Sequence, residues 1–322
     1  MALLLIDATK FSSGMDSGLT KQHISLLHGN FVKDVLVIVN KMDAINWNKE
    51  QFDDIVKKLK QYFKVEGLLD KVNITFIPMS AYNGENMIKK HKVDWYKGES
   101  LFGELMKVPN PQADNMIKPI RLTIKNLFKG VNGKKKGLGL TVKIEGGVLT
   151  EKDKLLIMPH GLLVPVKSIF REETKIPYGI CGDTVDIILN MSKEEDFDTI
   201  EKGNIACCSV HPIPFVKKFR AKIYTGKMRH PIIPGAKYTI HIGLQSNLGI
   251  FTKLVQELDL KSEKLKNKRP RLLGSKSIGI VDIKLDERVC MEISDNFNVY
   301  GKIQIRDEFN TVGYGKITEL LE

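Results

Sequence analysis

Two patterns of apolar and polar positions alternate over the first hundred residues. ALLLID (2–7), VLVIVN (35–40) and VNITFIPMS (72–80) are short, nearly continuous apolar runs. Between and after them lie TKQHISLLHGN (20–30), NKEQFDDIVKKLKQYFKVEGLL (48–69) and ESLFGELMKV (99–108). The middle one sets Phe52, Ile55, Leu59 and Phe63 at helical spacing, so a helix is predicted there, with shorter helices on either side. Continuous apolar strands separated by helices predict a parallel sheet covered on both faces. The opening MALLLIDA has no basic start and stops at Asp7, which predicts a buried strand rather than a secretion signal.

The pattern changes at VPNPQADNMIKP (108–119), where three prolines among polar residues mark a linker. Only short runs with Gly and polar turns follow: IRLTIKNLF, GLGLTVKIEGGVL, DKLLIMP, LVPVKSIF and DTVDIIL. HPIPF (211–215) interrupts them, and KKFRAKIYTG, KYTIHIGLQ, SIGIVDIKL, RVCMEI, GKIQIRD and GYGKITEL come next. Strands at this density predict closed barrels. The expected fold is an α/β parallel-sheet unit over 1–110 followed by two all-β barrels, over 117–210 and 214–322. A length of 322 residues accommodates that number of domains.

Composition narrows the function classes. Hydrophobic residues at 42% and charged residues at 27% fit a globular chain with real cores. No apolar run is long enough to span a bilayer as a helix, so no membrane role is expected. Four cysteines without C-x-x-C spacing argue against a zinc site or a disulfide framework, and a reducing cytoplasm is the expected setting. The net charge of +12 favours a polyanionic partner, or else marks a solvated Lys-rich surface. KGVNGKKKG (129–137) and KSEKLKNKRPR (261–271) concentrate that charge on expected loops and are candidate contacts to RNA phosphates.

The candidate chemistry lies where strands end. Asn40-Lys41-Met42-Asp43 follows the second run, and Ser80-Ala81-Tyr82-Asn83-Gly84 follows the third. Ligands bind outside the carboxyl ends of strands in an open parallel sheet. The Asp43 carboxylate can accept two parallel N–H donors, the pair that guanine offers and adenine does not. Asn40 supplies an amide to pin the loop or the base edge. The aliphatic stem of Lys41 can cover a purine face. The backbone around Ser80 and Ala81 can donate to a base oxygen, with Tyr82 beside them. Four polar residues at a strand end are a short signal, and the second motif at the next strand end strengthens it.

With these motifs on the page, the chain resembles a translational GTPase of the elongation-factor and release-factor superfamily. LLIDA, VNKMD and SAYNG match the later half of that family's GTPase domain, and two barrels follow in the family order. NKMDAINWNKEQFDDI, NGENMIKKHKVDWYKG, KPIRLTI and VKIEGGVL are most similar to the Hbs-type, Pelota-binding ribosome-rescue members. IRDEFNTVGYGKI is equally similar to the termination GTPase. The resemblance implies GTP or GDP as ligand, with magnesium only in a full-length domain. It implies the ribosome as partner, the first barrel on the small subunit and its rRNA, and the second holding a Pelota-like protein. The chain would be a monomer outside that complex. A termination or elongation factor, or a non-enzymatic ribosome-binding adaptor, remains an alternative.

Neither G-x-x-x-x-G-K-[ST] nor D-x-x-G occurs in the 322 residues. The family uses the first to cradle phosphates and hold magnesium, and the second to sense the γ-phosphate. No catalytic or metal-binding residue is therefore assigned. His23 matches a later helix of the family, not its catalytic His. A truncated gene product, a fragment or a degenerate paralogue would each fit this pattern, and residues 1–110 would then be looser than the barrels. Base contacts contribute about 0.5–3 kcal/mol each, against roughly 4–15 kcal/mol lost on association. These 322 residues alone are thus expected to bind GTP no better than about millimolar, and not to hydrolyse it.

Overall fold

The computed structural model describes the chain except residues 12–19, 21–22, 25–26, 28–31, 66–71, 109–112, 133–134, 192–193, 227, 261, 309 and 322. The chain forms two compact units, Met1–Pro109 and Asn110–Glu322.

The first unit is built on three parallel strands, β1 (Ala2–Asp7), β2 (Asp34–Asn40) and β3 (Asn73–Pro78), in the order β1-β2-β3. Parallel pairing sets Asp7 beside Asn40 and Val39 beside Pro78, so both candidate loops leave the same rim. Strand β2 is central and Val35 through Val39 are all buried, which is why its apolar run is unbroken. Helix α1 (Lys49–Val65) buries Phe52, Ile55, Leu59 and Phe63, the four positions its spacing marked. Each such burial contributes about 1.5–3 kcal/mol. Helix α2 (Leu101–Met106) is shorter than its 99–108 pattern because Ser100 caps it, its Oγ accepting from Gly103 N at 3.2 Å. The expected helix over 20–30 lies largely outside the described residues.

The expectation that the sheet is covered on both faces is corrected at β1. Leu4 and Ile6 point into the core, whereas Leu3 and Leu5 on the opposite face are exposed. Strand β1 alternates where β2 does not, because one of its faces packs in the core and the other is open.

The second unit contains two closed, six-stranded antiparallel barrels. The first is formed by β4 (Arg121–Asn132), β5 (Lys135–Gly146), β7 (Lys154–Met158), β8 (Leu162–Arg171), β11 (Thr184–Leu189) and β12 (Ile205–Cys208). Its ring runs β11-β5-β4-β12-β7-β8 and closes through β8 on β11. The short strands β6 (Val148–Thr150), β9 (Thr174–Ile176) and β10 (Tyr178–Ile180) pair at its periphery. The second barrel comprises β13 (Phe215–Thr225), β14 (Lys237–Ile242), β15 (Gln245–Leu258), β17 (Ile278–Cys290), β18 (Lys302–Asp307) and β19 (Asn310–Leu320). Strand β14 closes it against β15, and β16 (Leu265–Lys268) adds to the outer edge of β15. Each barrel is filled by its own apolar cluster: Leu122, Ile124, Val142 and Ile157 in the first, and Phe219, Ile223, Phe251 and Ile283 in the second.

A third cluster joins the barrels, with Ile205 and Cys207 of the first against Cys290, Phe297 and Tyr300 of the second. Burial there pushes the Cys290 thiol up to about 12, so it stays protonated. Beside this cluster Arg121 is buried against Glu292, with Nη2–Oε1 at 2.7 Å and Nε–Oε1 at 3.1 Å. Arg121 Nη1 donates to the carbonyls of His211 (2.8 Å) and Ile120 (3.1 Å). The hydroxyls of Thr123 and Tyr300 meet at 2.7 Å.

Candidate functional site

Strand β2 ends at Asn40, and the chain then turns sharply. Lys41 takes a left-handed conformation (φ 66°), and Asp43–Ile45 form one turn of 3-10 helix. A non-glycine residue held there stores roughly 1–3 kcal/mol, and such strain concentrates where a loop must present side chains. The Lys41 ammonium reaches the Asp7 carboxylate across the rim at 2.7 Å, which lays its stem over the strand ends.

Three ties bind the two rim loops together. Asn40 Oδ1 accepts from the amide of Ala81 at 2.9 Å. The amide of Met42 donates to the carbonyl of Met79 at 3.2 Å. Trp47 Nε1 donates to Glu85 at 3.1 Å, while the Trp47 ring stacks on His91 at 4.2 Å. Within the second loop, Ser80 and Glu85 exchange both backbone hydrogen bonds, and Gly84 turns the chain at φ 72°. Only a residue without Cβ adopts that turn cheaply. Asn86 is buried beneath, donating to the carbonyl of Pro78 at 2.7 Å and accepting from the amide of His91 at 3.2 Å.

The structure gives each candidate residue a distinct position. Asn40 is the lock between the loops. Asp43 makes no ion pair among the described residues, and its Oδ1 is buried without a hydrogen-bond partner. A carboxylate oxygen withdrawn from water and left unpaired costs energy until a donor reaches it. Ser80 is fully buried, its Oγ accepting from Asn83 N at 3.3 Å, while Ala81 is exposed and Tyr82 is 94% exposed. The amides of Ser80 and Ala81, expected to donate to a base oxygen, are both used within the protein here, by Glu85 and Asn40. The sequence reading missed Trp47, Glu85, Asn86 and His91. A tryptophan between two asparagines in the stretch NWNKE was the available signal.

Burial acts to raise the pKa of Asp7, but hydrogen bonds from Lys41 and Thr9 outweigh it and bring it from the ordinary 3.8 to about 2. The folded value lies below the unfolded one. The tie is therefore fully stabilising above about pH 4 and is lost as pH falls through about 2. A carbon-detected NMR titration should find Asp7 near 2, and Lys41→Met should return it towards 3.8. An unchanged value in the variant would remove Lys41 as the cause.

Only part of the expected contact set is open here: one Asp43 oxygen is unpaired, whereas the Ser80 and Ala81 amides are committed within the protein. An orphaned carboxylate oxygen on a braced rim suits a base with paired N–H donors. No glycine-rich phosphate cradle is encoded in the 322 residues, so no hydrolytic step follows from them.

Comparison with known proteins points to translation factors. The elongation factor Tu GTP-binding domain family matches residues 1–132, and the GTP-eEF1A C-terminal domain-like family matches residues 218–318. Protein HBS1 of Drosophila melanogaster is 29% identical over 329 residues, covering 99% of this chain and 48% of that protein. Elongation factor 1-alpha of Desulfurococcus mucosus is 30% identical over 331 residues, covering 99% of this chain and 72% of that protein. Among solved structures, sup35 complexed with GDP superposes with a TM-score of 0.59 at 26% identity, over 99% of this chain and 78% of that one. The chain thus spans about half the length of HBS1 and nearly three quarters of the elongation factor. With a braced strand-end rim followed in sequence by two barrels, and these relatives matching along its whole length, the chain belongs to the translational GTPase superfamily.

Proposed function

We propose that this chain carries the guanine-reading and partner-docking parts of a ribosome-rescue GTPase of the Hbs type. The observation that carries the nucleotide reading is the orphaned Asp43 oxygen beside a second loop held in place by Asn40. Asp43 accepts from the guanine edge. The Lys41 stem, fixed by Asp7, covers one face of the ring. The exposed Ala81 and Tyr82 form the neighbouring wall above the buried Ser80. In a GTPase of this type, GTP loads a tRNA-shaped, Pelota-like partner into an empty or stalled ribosome. The first barrel (117–210) faces the small subunit and the second (214–322) the partner, with the cytoplasm as setting. Magnesium and the phosphates need residues outside this sequence.

Termination is the second reading, favoured by the 29% identity to the eukaryotic peptide chain release factor GTP-binding subunit of Kluyveromyces lactis. One binding experiment separates the two. Purified chain should retain a Pelota-like protein and not a stop-codon release factor or aminoacyl-tRNA. Retention of the release factor alone would replace the rescue reading with termination.

A further inference from the structure

The outer face of the second barrel has a cleft of about 510 Å³ lined by Lys217, Lys218, Thr252, Lys284, Arg288 and Leu321. Four of these six residues are cations and none is acidic. Their placement is built into the strands. Phe219, Ala221 and Ile223 of β13 point into the core, so Lys218 and Arg220 point outward. A register shift between Val216 and Lys218 makes Lys217 a bulge residue, and two successive lysines open on one cleft. Lys218 and Lys284 are direct cross-strand partners, an arrangement in which like charges repel.

The same strand shows what this chain does with cations that serve the fold. One step along β13, Arg220 is held by Asp282 at 2.8 Å and Glu319 at 2.7 Å, and Lys222 is paired with Glu263. Among the described residues, Lys217, Lys218, Lys284 and Arg288 have no such partner. Asp286 and Glu287, on the strand between the last two, make no ion pair with them. Cations clustered in a concave site and unpaired among the described residues, beside a neighbour that is neutralised, suit an external anion.

We propose that this cleft binds the phosphate backbone of RNA. Aromatic anchors, which dominate protein–protein contacts, are absent from the lining, and Leu321 is its one large apolar residue. A polar, strongly positive surface is the character of a nucleic-acid interface. This site is separate from the basic stretches 129–137 and 261–271. Part of the second is not loop but strand β16, whose Lys266 is already neutralised by Glu257 at 2.7 Å.

The test is fluorescence anisotropy of a fluorescein-labelled RNA hairpin with the 322-residue chain, across a range of salt concentrations. Replacing Lys218→Gln and Lys284→Gln together should weaken binding and flatten the slope of log K against log salt by about 1.4–1.8, since each phosphate contact contributes roughly 0.7–0.9. The matched exposed pair Lys57→Gln and Lys64→Gln on α1, outside both barrels, should leave the slope unchanged. Melting temperature in the first variant should hold or rise as the repulsion is relieved, which excludes unfolding as the cause. An unchanged slope, or an equal loss in the control pair, overturns the proposal. So does displacement of the hairpin by polyglutamate more readily than by unlabelled RNA, which would assign the cleft to an acidic protein. Asp43→Asn should not alter the slope, so failure here is distinguishable from failure of the guanine reading.

Discussion

Replacing Arg121 with Leu is expected to destabilise the two-barrel unit by about 3–5 kcal/mol, a large fraction of the stability of an ordinary domain. The side chains of Arg121 and Glu292 are only 4% and 9% exposed. Taking both charges out of water is costly, and the pair is tolerated because geometry recovers that cost. Glu292 accepts two N–H groups on one oxygen, while Arg121 also satisfies the carbonyls of His211 and Ile120. The single substitution leaves a buried carboxylate and two carbonyls without donors. The double replacement Arg121→Leu with Glu292→Leu removes the stranded charge and should recover much of the loss. Urea unfolding of the wild type, both singles and the double supplies the cycle. A single-variant cost under about 1 kcal/mol, typical of surface pairs, would show that the joint is wet and the ion pair incidental.

Asp43→Asn should exchange the preferred base. A carboxylate accepts from both the ring N–H and the exocyclic amino group of guanine. An amide presents one acceptor and one donor, which complements the ring N–H and the C2 carbonyl of xanthine. One charge-assisted hydrogen bond is worth about 1.5–3 kcal/mol, so the guanine-to-xanthine affinity ratio should fall roughly tenfold to a hundredfold. Ligand-observed NMR in the millimolar range can read this with GDP and XDP. A ratio that does not move would mean that the orphaned oxygen faces no base, and the nucleotide assignment would fall with it.

Much of the architecture is legible in the sequence because the pattern that specifies it is local. The unbroken apolar run of β2, the four-residue stripe of α1 and the alternation of β13 are each set by near neighbours. Strand β15 escaped notice for a definite reason. Its ladder shifts between Phe251 and Lys253 and again between Leu254 and Gln256. The inward residues Phe251 and Leu254 are therefore three apart, a spacing that imitates a helix. RVCMEI, expected as a separate strand, contributes its first three residues to the end of β17. At the rim, NKMD and SAYNG stand out from their composition and their place after apolar runs. The Trp47–Glu85 brace and the Arg121–Glu292 joint do not, because their partners lie 38 and 171 residues apart. No local periodicity encodes such pairs.

The cross-braced rim sets the character of recognition. Asn40, Met42 and Trp47 already hold the opposite loop, so arrival of a purine orders little new backbone. On the proposed guanine reading, the entropic penalty of bracing the two loops is met during folding rather than on binding. Affinity is then governed by how quickly the base escapes, and grip must come from whatever clasps the rest of the nucleotide.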